Sequence, residues 1–157
     1  MIAVDVSEAK LADAIDCGAT HAVQWQGDPE STADAVRAIV GSGVDCAIEA
    51  SGRPEVATAC YLSTRARGAA VMVGIPHADA VASFPALSFP RMERRVLGSI
   101  YGSAYPPQEF PVILDLHRQG RLPLERLISH RLPLDQVNDA FALMREGAAR
   151  RVLLELG

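Results

Sequence analysis

The residues best placed to do chemistry open the chain. The short apolar run Ile2-Ala-Val ends in a carboxylate at Asp5, Ser7 follows as a helix-start signal, and Lys10 stands one turn further on. An acidic residue at the end of an early parallel strand accepts hydrogen bonds from the hydroxyls of an adenosine ribose, and its charge repels a 2′-phosphate. The expectation at Asp5 is therefore a nucleotide ribose, with NAD favoured over NADP. Lys10 is positioned to reach the same sugar. The glycine-rich turn that accompanies such an acid stands about 20 residues upstream of it. It precedes residue 1, so the chain is expected to begin inside its cofactor domain.

A second group of candidates follows a later apolar run. Ala50, Ser51 and Gly52 stand at the carboxyl end of a strand, where ligands of open α/β sheets bind and where small residues let backbone and ligand approach closely. Arg53 beside them is a candidate for the adenine or a phosphate. The other reactive types point nowhere comparable. Cys17, Cys46 and Cys60 are far apart, with no C-x-x-C spacing. They are read as small buried apolar residues rather than as a disulfide framework or a zinc knuckle. His21, His77, His117 and His130 pair with no His, Cys or carboxylate at metal-ligand spacing, and no Ser/His/Asp or Cys/His constellation marks a nucleophile.

Composition bounds the rest. With 157 residues, 49% hydrophobic and 22% charged, the chain can bury a real core. A net charge of −4 and the lack of a dense basic run argue against nucleic-acid binding. No apolar stretch approaches the ~18–20 residues needed to cross a bilayer, and the first residues lack a signal-peptide pattern; a cytoplasmic location is expected.

The elements that must position these residues alternate. Strands are read over 2–5, 21–25, 44–50 and 69–74, with helices over 8–17, 30–40 and 54–63 between them. On the first helix Leu11, Ala14 and Ile15 face the sheet; on the second, Ala33, Val36, Ala38 and Val40 are the apolar positions. Strands separated by ten-residue helices make βαβ units and hence a parallel sheet, and the all-apolar 69–74 reads as its centre. Pro76, Pro85 and Pro90 then mark an excursion with one short strand near 81–84, before an edge strand at 95–100. A loop follows over 101–107. The last third reads as a helix over 108–119, a strand over 127–132, a helix over 135–146 and a strand over 151–156. Pro111 fits the first of these helices only in its opening turn. Phe110, Phe141 and Met144 are read as helix core.

In order, these pieces resemble the medium-chain, zinc-containing alcohol dehydrogenase family over essentially the whole chain. The matching residues are Val4, Asp5 and Lys10; Gly18-Ala19-Thr20; Val44-Asp45 with Glu49-Ala-Ser-Gly52; Val73-Gly74-Ile75-Pro76; and Gly98-Ser-Ile-Tyr-Gly102. Leu127-Ile-Ser-His130, Val137-Asn-Asp-Ala-Phe-Ala-Leu-Met144 and Arg151 complete the set. The resemblance implies an α/β fold. Residues 1–100 would form a partial NAD-binding Rossmann domain, a parallel sheet lacking its first strand and glycine-rich turn. Residues 101–157 would form a C-terminal α+β segment of the GroES-like catalytic domain.

It further implies that the backbone at Gly74 and Ile75 meets the nicotinamide carboxamide, that Ser99 and Tyr101 complete that contact, and that Arg151 pairs with the pyrophosphate. The parent reaction is hydride transfer between an alcohol and NAD at a zinc whose ligands lie outside this chain. The catalytic residues and metal ligands here are thus none, and the chain alone is expected to be inactive. In the family the strands around 76–100 pair across a two-fold axis, so a homo-oligomer, dimer or tetramer, is expected.

Two rival readings remain at this stage: a non-catalytic nucleotide-binding or dimerisation module, and a Rossmann-like methyltransferase, against which the sequence beyond residue 100 argues. In either dehydrogenase-like case a sheet without its first strand leaves backbone groups unpaired, at roughly 1–3 kcal/mol each when buried. Marginal stability or association is the expected result, and a reversible, highly cooperative melt of the isolated monomer would contradict it.

Overall fold

The structure, a computed structural model, describes residues 1–157. The chain divides into two units, Met1–Ser103 and Ala104–Gly157. In the first, β1 (Ile2–Asp5), α1 (Glu8–Asp16), β2 (His21–Gln24), α2 (Pro29–Val40), β3 (Val44–Glu49), α3 (Pro54–Ser63), β4 (Thr64–Met72), α4 (Ser88–Met92) and β5 (Arg95–Gly98) follow one another. The helix starts have local causes. Ser7 Oγ accepts from the Lys10 amide at 3.4 Å, and Asp28 Oδ1 accepts from the Ser31 amide at 2.9 Å with Pro29 behind it in the first turn. The Ser31 amide also holds the Asp28 carboxyl below its usual range.

All pairings are parallel. β1 pairs with β2, in register from Ile2 opposite His21 to Asp5 opposite Gln24, and β3, β4 and β5 form a separate three-stranded sheet with β4 in the middle. The doubly wound order 3-2-1-4-5-6 maps onto these two sheets. β2 and β1 take positions 3 and 2, and β3, β4 and β5 take positions 4, 5 and 6. No strand of this chain takes position 1, so β1 and β3 are each hydrogen-bonded along one edge only.

β4 is longer at its start than the apolar pattern implies and ends two residues sooner. Thr64 pairs with Val44, a bulge carries Arg67 at φ 62°, and the regular ladder resumes from Ala69 to Met72. It ends there because the Val73 and Gly74 amides both turn onto the Glu49 carbonyl, at 2.8 and 3.0 Å. The core of this unit is built of small residues around one large one. Ala33, Val36, Ala57, Ala59, Ala69 and Ala70 are buried, and Tyr61 is fully buried with its hydroxyl 2.5 Å from Ser88 Oγ. Leu11 is buried as read, but Ile15, Ala38 and Val40 are exposed, because α1 and α2 each commit only a narrow stripe to the sheet.

The excursion holds no strand at 81–84; its one regular element is the short helix α4. No strand lies beside this segment to pair with it. Instead Ser83 offers its carbonyl to Thr58 Oγ1 at 3.0 Å, and the Phe84 ring packs on Tyr61 at 5.0 Å between centroids.

The second unit contains α5 (Pro106–Arg118), a 3-10 turn (Leu124–Leu127), β6 (His130–Pro133), α6 (Val137–Arg145) and β7 (Val152–Glu155). β6 and β7 pair parallel with α6 as their crossover, so β6 begins three residues later than the sequence reading placed it, the turn having consumed Leu127. α5 starts at Pro106 rather than 108, which puts Pro111 inside the helix. There it lacks the N–H that would meet the Pro107 carbonyl. Phe110 is 61% exposed, and Phe141 and Met144 are also exposed. They are not core within this chain, where Ala140 is the buried position of α6. No helix is long and apolar enough to cross a membrane.

Candidate functional site

The carboxyl ends of β1, β3, β4 and β5 carry the candidate residues. Asp5 closes β1, half-buried, with Oδ1 accepting the Ser7 amide at 2.9 Å. The carboxylate therefore both shapes the strand-to-helix turn and stands where α1 begins, with half-buried Lys10 in the first turn of that helix.

At the end of β3 the organising group is one the sequence reading left out of the site. Glu49 is 2% exposed. Its Oε1 accepts three hydrogen bonds, from the Ser51 amide at 2.6 Å, the Ser51 hydroxyl at 2.5 Å and the Gly52 amide at 2.8 Å. This is how a buried carboxylate becomes tolerable: oriented amides replace its water. The signal was visible, a carboxylate closing the strand directly after Cys46-Ala-Ile48, but its meaning depended on the turn that folds back over it.

That turn crosses the end of β4 at van der Waals distance. Gly52 has φ +74°, and a Cβ there would stand 2.5 Å from the Ile75 carbonyl oxygen. A Cβ on Gly74 would strike the Gly52 amide nitrogen, and would stand 2.6 Å from Glu49 Oε2 and 2.8 Å from Gly52 Cα. Both positions exclude side chains because two backbones touch. The structure thus brings Ala50, Ser51, Gly52, Gly74 and Ile75 to one place, with Ala50, Ser51 and Ile75 exposed there. The Ser99 amide donates to the Met72 carbonyl at 2.9 Å, which sets Ser99 beside the same strand end.

Three further candidates are Arg53, Tyr101 and Arg151. Arg53 is exposed and paired with Glu55, Nε to Oε1 at 2.7 Å. Tyr101 is exposed, with φ 48°. Arg151 belongs to the second unit, where its carbonyl accepts from the Ser129 amide at 2.9 Å and its side chain is exposed.

The cysteines correct the sequence reading. Cys17 and Cys46 are exposed and Cys60 is half-buried. Both Cys17 and Cys46 lie where no second element covers them. Burial, reinforced by the charges of Glu49 and Cys46, pushes the Cys60 thiol up to about 12. At pH 8 its thiolate fraction is then lower by about three orders of magnitude than that of a thiol of ordinary pKa. Iodoacetamide labelling followed by mass spectrometry should modify Cys17 and Cys46 rapidly and leave Cys60 free until the chain unfolds; equal rates at all three would contradict this packing.

Among known proteins, the family model for zinc-binding dehydrogenases matches residues 1–119. The chain belongs to the zinc-binding dehydrogenase family. Alcohol dehydrogenase 3 of Hordeum vulgare is 29% identical over 154 residues, 98% of this chain and 40% of that relative. A solved alcohol dehydrogenase zinc-binding domain protein from Burkholderia ambifaria superposes with TM-score 0.92 at 35% identity, over 99% of this chain and 41% of the other. A Sinorhizobium meliloti 1021 chain solved with NADP bound superposes with TM-score 0.83 at 26% identity, over 99% and 44%. This zinc-binding dehydrogenase chain therefore spans about 40% of the length of the relatives it matches. The superpositions establish its Rossmann-type fold. No group of three or more His, Cys, Asp or Glu side chains is placed to hold a metal ion, so the residues present do not make a zinc site.

Proposed function

We propose that this chain forms much of the nucleotide site of an NAD-linked, zinc-dependent alcohol dehydrogenase. The parent enzyme would transfer hydride between an alcohol carbon and NAD, and the 157 residues alone would not turn over. The observation that carries the reading is the pair of strand ends: a carboxylate closing β1 at Asp5, and the Gly52–Gly74 crossing that leaves small residues and open backbone where β3 and β4 stop. Asp5 accepts the ribose hydroxyls, with Lys10 at the same sugar. Ala50 and Ser51 let the cofactor lie close to the chain, and Arg53 leaves Glu55 for the adenine or a phosphate. The backbone at Gly74 and Ile75, with Ser99 and Tyr101, holds the carboxamide, and Arg151 meets the pyrophosphate through its two-pronged guanidinium. NAD, when bound, supplies the hydride acceptor; the residues here bind and orient it. Zinc enters through no residue of this chain.

Homo-oligomeric assembly and a cytoplasmic location belong to the same proposal. The candidate dimer edges are residues 96–100, where Leu97 of β5 and Ile100 just beyond it are exposed, and residues 81–84 of the excursion, where Val81 is exposed.

Calorimetric titration with NAD and with NADP tests the reading, with Asp5→Asn as the variant. Asparagine keeps an oxygen for the Ser7 amide but loses the charge. Wild type should prefer NAD, and Asp5→Asn should erode that preference about tenfold, roughly 1.4 kcal/mol, with an unchanged melting temperature. Equal binding of both nucleotides by wild type, or an unchanged ratio in the variant, would overturn the assignment. In the same preparations, zinc, NAD and a panel of alcohols should give no turnover.

A further inference from the structure

On the α3 side of the three-stranded sheet, behind the Gly52–Gly74 crossing, lies a pocket of about 200 Å³. Its lining is mainly apolar: Ala57 of α3, Met72 and Val96 of the sheet, and Pro76, Ala82 and Phe84 of the excursion. Two charged residues border it, Glu49, whose carboxylate is buried, and Arg53, which is exposed and paired with Glu55. We infer that this pocket is a binding site for a small monocyclic aromatic molecule that carries one hydroxyl donor, of the size of phenol or benzyl alcohol.

Four features select that class. An apolar cavity of about 150 Å³ suffices for benzene, so the volume here admits one ring with a short substituent. The Phe84 ring forms part of the wall and is held in place by Tyr61 at 5.0 Å and by Phe89 at 6.4 Å. It therefore offers a fixed aromatic surface for stacked or edge contact, and the Met72 thioether adds a polarizable partner for a ring. Glu49 has only acceptor atoms when ionised, and all three of its donors converge on Oε1. A ligand hydroxyl donating to this carboxylate is favoured. The pocket adjoins the proposed nucleotide site and shares Gly52, Arg53 and Gly74 with it, while Asp5, Lys10, Ser51, Ile75, Ser99 and Tyr101 take no part in its lining.

The test is saturation-transfer NMR of the 157-residue chain with phenol and toluene as probes. Phenol should bind saturably with a dissociation constant on the order of 1 mM, the strength open to a ligand with so few heavy atoms. Toluene, with the same ring and no donor, should bind at least about fivefold more weakly. Ala82→Phe, which fills the pocket from the exposed excursion rather than from the core, should weaken phenol at least about tenfold. Ala80→Phe, at the same rim, serves if that variant does not fold. Absence of saturable phenol binding, equal binding of phenol and toluene, or undiminished binding by a folded pocket-filling variant would each overturn the inference. The NAD and NADP titrations of the wild-type chain are read separately, so failure here is distinguishable from failure of the nucleotide assignment.

Discussion

Gly74→Ala should lower the melting temperature by on the order of 10 °C. The added Cβ meets backbone, not a flexible side chain. It strikes the Gly52 amide nitrogen and stands 2.6 Å from Glu49 Oε2 and 2.8 Å from Gly52 Cα. Neither strand end can retreat, since the Val73 and Gly74 amides are both tied to the Glu49 carbonyl. Overpacking of this kind costs about 3 kcal/mol or more, several degrees per kcal/mol in a unit of this size. Gly98→Ala is the internal control. Gly98 ends β5, and a Cβ there meets nothing within 4 Å, so its melting temperature should move by a degree or two at most, upward if the loss of unfolded-chain freedom dominates. Thermal melts of the two variants side by side decide the matter. Equal melting of Gly74→Ala and wild type would show that the β3 and β4 ends do not touch as described.

Glu49→Ala should be nearly as damaging, for the opposite reason: it removes atoms instead of adding them. The Ser51 and Gly52 amides and the Ser51 hydroxyl all donate to Oε1 within 2.8 Å. Without that acceptor, two backbone donors are left in a partly buried turn at about 1–3 kcal/mol each, for a total of about 2–6 kcal/mol. Glu49→Gln keeps one acceptor oxygen and should lose roughly half as much. Urea unfolding with an unchanged slope would register these as true stability changes. A loss of less than about 0.5 kcal/mol in Glu49→Ala would show the turn to be held by other means. Because the same turn presents Ser51 and Gly52 at the proposed nucleotide site, Glu49→Ala should also weaken NAD binding, an effect that Gly98→Ala should lack.

The two variants locate what was legible in the residues alone. The alternation of short apolar runs with ten-residue helical stretches, the Ser7 and Asp28 caps, and Pro54 at the start of α3 are local instructions. They are written within one turn of where they act, which is why helix 54–63 and strand 2–5 could be read directly and the parallel, Rossmann-type order followed. The glycines at 52 and 74 and the acid at 5 were likewise visible as types. Which residues face a core, however, is decided by what packs against them. Phe110, Phe141 and Met144 have the periodicity of a buried stripe, yet no element of this chain covers them. The segment 81–84 has strand-like residues and no strand to pair with, so Phe84 settles on Tyr61 instead.

By itself, then, the sequence determined the βαβ order, the helix starts and the kinds of residue at each strand end, since these depend on neighbours three or four positions away. Tertiary structure alone decided that Glu49 is the buried anchor of the β3 turn, and that Gly52 and Gly74 are glycines because two backbones meet there. It also decided that a pocket opens behind them, between α3 and the excursion. The residues that meet at that crossing lie 22 positions apart in the chain, and nothing in the composition of either segment records the other's approach.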